Sequence, residues 1–166
     1  MSAFAISQLL IGVAFVIDLA CWQFHKREIT LFLLMISTAL VAGHFFLLGA
    51  LTAALVNSLS ATRYLVSLFT QHRYVMWFFI AIMLGVGIYT FDGVEDIFAV
   101  MATILGTLAA FQSDGRKMRL IGMSGTSSVL VHNVLIWTPA GVLLEIFFLA
   151  SNALSYYRFY IRKQNH

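Results

Sequence analysis

Residues 29–70 read ITLFLLMISTALVAGHFFLLGALTAALVNSLSATRYLVSLFT, and Arg63 is their single charged side chain. As one helix rising ~1.5 Å per residue, this stretch would run about 63 Å, twice the roughly 30 Å of a bilayer's hydrocarbon core. A turn is therefore required, and Gly49 with Thr52 is the interruption that supplies it. The result is two membrane-length helices, 29–48 and 51–70. Reading outward with the same rule, apolar runs bounded by charge, Gly or Pro give further helices at 3–24, 74–91, 95–112, 119–137 and 139–160.

Composition supports this reading. The 166 residues are 61% hydrophobic and 10% charged, with a mean hydropathy of +0.91. A soluble domain carries about 25% charged residues to cover its water-facing surface. A soluble enzyme, a disordered chain and a disulfide-stapled domain are thus excluded in favour of a polytopic membrane protein. Cys21 stands alone, so no intramolecular disulfide forms. The segment 1–22 lacks a basic region and an Ala-x-Ala site, and Asp18 interrupts the apolar run that lipidation at Cys21 needs. It therefore reads as a retained first helix.

Basic residues give orientation, because Lys and Arg in short loops stay cytoplasmic. Lys26 and Arg27 follow the first helix, Arg73 the third, Arg116, Lys117 and Arg119 the fifth, and Arg162 and Lys163 the seventh. With Arg63 and Arg158 in the matching halves of helices three and seven, all ten basic residues fall on one side. The other side receives Asp92, Glu95 and Asp96. Seven helices with the N-terminus outside and the C-terminus inside satisfy this pattern. The net charge of +3 reports membrane topology and not a nucleic-acid partner.

Two halves of the chain resemble each other. His44 in AGHFFL matches His132 in LVHNVL, and Ser60-Ala61-Thr62-Arg63 matches Ser155-Tyr156-Tyr157-Arg158 after a shift of seven residues, which keeps the same helix face. The expected fold is all-α: two parallel three-helix repeats, 1–70 and 95–160, joined by a linker helix at 74–91 and followed by a cytoplasmic tail at 161–166.

These residues resemble the YgjV-like family of bacterial inner membrane proteins, on His44-Phe45-Phe46-Leu47-Leu48-Gly49, Arg63, His132-Asn133, Gly141, Glu145, Asn152 and Arg158. The resemblance covers essentially the whole chain. It implies the inner membrane as location and a distant similarity to SWEET and PQ-loop transporters, which share a three-plus-one-plus-three layout and move small solutes by alternating access. Two features depart from those groups. The Pro-Gln dipeptide is absent and Pro139 is the lone proline, and Ser60 and Ser155 stand where the family's Asn-x-x-Arg has Asn.

Ionisable and amide side chains within a bilayer are costly without a partner or a watery cavity, so each is a functional candidate. Glu145, Asn152, Asn133 and His132 form an expected polar wall on helices six and seven, with Glu145 and His132 at one depth and Glu145 and Asn152 seven residues apart on one face. This is either a solute site or a Glu145–His132 pair that ties the helices together. Asn57 lies at a depth comparable to Glu145 and is either a ligand or an interhelical hydrogen-bonder. His44 reads as packing with one hydrogen bond. Asp18, Arg63 and Arg158 read as a cytoplasmic ion-pair clasp with snorkelling arginines, an inner gate if it closes one state. Trp22, Trp77 and Trp137 read as interfacial anchors, with Trp137 also a candidate for the solute wall, and Ser124 to Ser128 give helix six a small polar face.

Zinc, nucleophile-elbow and nucleotide-loop motifs are missing. No enzymatic activity, catalytic residue, cofactor or metal is therefore expected. The expected partners are the lipid bilayer and a small solute, with homo-oligomerisation left open. The function expected is a SWEET-like carrier for a sugar or similar metabolite, facilitated or ion-coupled. A non-transporting receptor or assembly protein of the same fold is the alternative, and a membrane-embedded hydrolase has little support.

Overall fold

The structure, a computed structural model, describes residues 2–162. Residues 163–166 of the expected cytoplasmic tail lie outside the described residues. Among the described residues the chain is entirely helical, with seven α-helices and one π-helix: α1 Ala3–Cys21, α2 Arg27–Leu47, α3 Leu51–Phe69, α4 Arg73–Tyr89, α5 Glu95–Ala110, α6 Gly115–Leu135, α7 Pro139–Tyr156 and the π-helical Tyr157–Ile161. Three segments have the length and apolarity to cross a membrane: Ala3–Cys21, Arg27–Leu47 and Pro139–Ile161. The apolar α4 is shorter, and serines, threonines and basic side chains make α3 and α6 more polar.

Helix ends follow local chemistry. The Ser2 hydroxyl accepts the Ala5 N–H at 3.2 Å to start α1, and Pro139 occupies the first turn of α7, where its missing N–H costs nothing. The Asp96 carboxylate accepts the N–H groups of Asp92 and Gly93 ahead of α5. The largest shift from the expected boundaries is at α6. Asp114 caps it, its carboxylate accepting the Arg116 N–H at 2.8 Å, so the helix begins at Gly115. Arg116 and Lys117 thus lie within a helix and not in the loop expected for them, and Arg119, expected at the helix start, lies in its second turn.

The chain divides between Phe69 and Thr70 into two compact units. In the first, α2 packs on both α1 and α3 around Ala14, Cys21, Trp22, Leu31, Leu34, Ala42, Ala54 and Ala61. Small side chains let these helices approach closely, which in lipid replaces the hydrophobic drive of a soluble core. Trp22 belongs to this core at 3% exposure, not to the interface expected for it. The turn into α3 uses Gly49 at φ +77, with the Ala50 N–H reaching the Phe45 carbonyl at 3.0 Å. That Schellman-type ending needs a left-handed residue, the conformation glycine adopts most cheaply.

In the second unit α4 packs on α5, α5 on α6 and α6 on α7. Phe79, Ile80, Met83, Ala109, Ala110, Phe111 and Met118 are buried there. Gly125 allows the close α5–α6 approach, since a methyl group on it would touch Leu105 and the Ala102 carbonyl. The turn from α6 to α7 repeats the Schellman hydrogen bond, Thr138 N–H to Asn133 carbonyl at 3.0 Å, but the left-handed residue is Trp137 at φ 55. Large apolar side chains such as Phe4, Leu55, Phe69, Phe78 and Leu154 are exposed, as a lipid-facing surface requires.

Candidate functional site

Two residues of the expected polar wall, Asn133 and Asn152, lie along the α6–α7 seam of the second unit. Near one end Asn133 abuts Gly141, so closely that a methyl group on Gly141 would stand 2.8 Å from the amide nitrogen. Toward the other end, the Asn152 amide donates to the Arg119 carbonyl at 3.1 Å, and Arg119 donates from its guanidinium to the Ser155 hydroxyl at 2.6 Å. Glu145 follows Gly141 by four residues and precedes Asn152 by seven, so it shares this α6-facing side of α7. It is half-buried.

This antiparallel pairing changes one expected neighbour. With Asn133 opposite Gly141 and Arg119 opposite Ser155, Glu145 comes level with the region of Val129, about one turn from His132. The imidazole of His132 lies instead on α5, its Nδ1 2.9 Å from the Glu95 carbonyl. A carbonyl only accepts, so Nδ1 carries the proton and Nε2 keeps the acceptor lone pair in the neutral ring. The Glu145–His132 tie is not formed, and Glu145 has other interactions within the fold. Asn152 is 1% exposed and its Oδ1 has no hydrogen-bond partner among the described residues.

In the first unit the candidates are separate from one another. Asn57, half-buried, donates to the Ala53 carbonyl of its own helix at 2.8 Å. His44, buried on α2, places Nδ1 2.9 Å from the Ser7 carbonyl on α1 and meets Phe45 edge-on. Asp18 lies near Ser37, whose hydroxyl donates to the Ala14 carbonyl at 3.2 Å, while the Arg63 guanidinium is buried over the Tyr64 ring at 4.6 Å. Arg158, on the π-helix of the second unit, is exposed over Phe159. The two clasp arginines therefore sit in different environments, one buried and one exposed. The Ser124, Ser127 and Ser128 hydroxyls donate to their own backbone four residues back, so they satisfy α6 internally.

Two arginines counted as loop cations turn out to be structural centres. Arg119 has no exposed surface, and besides Ser155 it stacks over Phe159 at 5.3 Å. Arg27 is buried and donates to the Ser67 carbonyl at 2.8 Å. Ser67 lies in the last turn of α3, where carbonyls lack intrahelical partners, so Arg27 acts as a C-terminal cap. The signal available in sequence was Asp114-Gly115, a helix start that puts Arg119 inside α6. Among the described residues no three His, Cys, Asp or Glu side chains assemble as a metal set would require.

A whole-chain comparison decides the family. Residues 5–163 match the Imp-YgjV family model, described as a bacterial inner membrane protein. This chain belongs to that family. Inner membrane protein YgjV of Escherichia coli K12 is 32% identical over 162 residues, covering 96% of this chain and 87% of the relative. Membership puts the Imp-YgjV chain described here in the bacterial inner membrane as a multi-pass helical protein. No solved structure matches it.

Proposed function

We propose that the protein is a small-solute carrier built on a SWEET-like plan of two three-helix repeats joined by α4, working by alternating access, facilitated or ion-coupled, and without enzymatic activity. The observation that carries the reading is one constant offset of 88 residues. It relates Arg27–Leu47 to Gly115–Leu135 as helices of equal length. It relates the His44–Ser7 contact to His132–Glu95, and the left-handed Gly49 to the left-handed Trp137. It also relates Ser67, donating to Tyr64, to Ser155, donating to Asn152. With this offset Ser151 becomes the counterpart of Arg63, which replaces the match that needed a seven-residue shift. Tandem three-helix repeats are the plan on which such carriers rock.

The proposed solute-facing groups are Asn133, Glu145 and Asn152 on the α6–α7 seam, with His132 and Asn57 as further hydrogen-bonders. Amides, a carboxylate and an imidazole acceptor suit a hydroxyl-bearing solute. The alternative, a non-transporting receptor or assembly protein, is favoured by Asn57 and the α6 serines spending their hydrogen bonds on their own helices. Proteoliposome uptake across a panel of sugars and related metabolites separates the two. For a carrier, Glu145→Gln is expected to lower uptake at least about tenfold or to abolish its pH response, the loss of one charge-assisted hydrogen bond being enough. Absence of flux for every member of the panel with a folded protein refutes the carrier.

Orientation has its own measurement. In a variant carrying cysteine at Asp92, labelling from the periplasm is expected in intact cells. Cysteine at Ser113 is expected to label only after permeabilisation. The native Cys21 is buried and adds little background. Both positions labelling from one side would refute the N-out, C-in topology.

A further inference from the structure

The connection into α4 forms a surface groove of about 620 Å³ lined by Gln71, His72, Arg73, Tyr74 and Trp77. Arg73 makes no hydrogen bond, ion pair or ring contact with any described residue, so its guanidinium faces the groove without an internal counter-charge. Neither is an acidic residue available nearby in the chain, since none occurs between Phe69 and Phe91. Arg73 is thus the charged lining residue, with no acidic side chain among the residues that line the groove.

Its position in a membrane follows from helix length. The 17 residues of α4 span about 26 Å at 1.5 Å per residue, short of the roughly 30 Å hydrocarbon core. A short apolar helix thins the surrounding bilayer and draws headgroups toward its ends. Tyr74 and Trp77 beside the groove are 84% and 58% exposed, and amphipathic rings of this kind settle at the headgroup level. Phe78 next to them is also exposed and offers an apolar surface for an acyl chain.

We propose that this groove binds the phosphate of an anionic phospholipid headgroup, with Arg73 gripping the phosphate oxygens and Trp77 packing on the glycerol and upper acyl region. Guanidinium matches phosphate geometry by paired N–H donors, which is why the arginine rather than His72 carries the recognition. Free phosphate shares the charge but lacks the apolar part that Trp77 and Phe78 contact.

The test uses the full-length protein, delipidated in detergent, with bound lipid counted by native mass spectrometry and melting followed in parallel. The probes are phosphatidylglycerol, zwitterionic phosphatidylcholine and inorganic phosphate. Phosphatidylglycerol is expected to bind about tenfold more tightly than phosphatidylcholine, and Arg73→Gln to remove that difference. Trp77→Ala should weaken the lipid and leave any phosphate binding unchanged. Lys117→Gln, at an exposed position on α6, should leave all three unchanged. Equal binding of the two lipids, or wild-type lipid binding by Arg73→Gln, overturns the site. Arg73-dependent binding of inorganic phosphate that phosphatidylglycerol does not compete assigns the groove to free phosphate and overturns the lipid.

Discussion

Arg119→Ala is expected to cost about 3 kcal/mol of stability, the largest loss from any single substitution considered for this protein. Two interactions of the guanidinium and its packing are lost together. The guanidinium hydrogen bond to the Ser155 hydroxyl, at 2.6 Å, belongs to the charge-assisted class worth about 1.5–3 kcal/mol. The stacking over Phe159 at 5.3 Å adds about 0.5–2 kcal/mol when desolvated. The remainder comes from the void left where a side chain with no exposed surface stood. The Asn152 hydrogen bond to the Arg119 backbone carbonyl survives, which keeps α6 and α7 in register. Arg119→Met should cost less than the alanine change, because it fills most of the volume that alanine leaves empty. Unfolding of the purified variants in mixed micelles checks both. An alanine variant no less stable than Arg116→Ala, at an exposed position on the same helix, would remove Arg119 from the scaffold.

Arg27→Ala should cost about 2 kcal/mol, and locally. Its guanidinium satisfies the Ser67 carbonyl at 2.8 Å at the negative end of α3, where a cation also complements the helix dipole. Without it, the last turn of α3 loses its cap and opens more often. Hydrogen exchange should therefore quicken at the C-terminal turn of α3, while the start of α3 near Leu51 keeps its protection. Arg27→Lys should recover part of the loss, since charge is restored without the planar fork. Uniform loss of protection along α3 would mean that Arg27 supports the helix through packing instead of capping it.

Much of the fold was legible in sequence because lipid imposes few solutions. Backbone groups in hydrocarbon must be satisfied within the segment, so apolar length reads directly as helix. The break at Gly49 is an example: 29–70 is too long for one crossing, and glycine is the residue that turns left-handed at least cost. The break before Pro139 was equally visible, though not that Trp137 would take the left-handed position there. The start of α6 was misplaced because three basic residues suggested a loop, while Asp114 as its cap required weighing one local hydrogen bond against a charge cluster.

The candidate site was less legible. Helical spacing puts Glu145 and Asn152 on one face, and Asn152 meets α6 at the Arg119 carbonyl. Partners across helices do not follow from spacing along one helix. His132 was placed level with Glu145 by counting from helix ends, yet it bonds the Glu95 carbonyl on α5. Asp18 is expected in a clasp with Arg63 and Arg158, yet it lies near Ser37.

By itself the sequence determined the helical membrane class and the number of helices, because each depends on composition and period along the chain. Only the tertiary structure decided that Trp22 is core, that Arg27 and Arg119 are buried clasps and not loop cations, and that His132 pairs with a backbone carbonyl. Burial and pairing depend on how neighbouring helices rotate and slide against one another. A shift of one turn changes every cross-helix partner and leaves the periodicity of each helix unaltered.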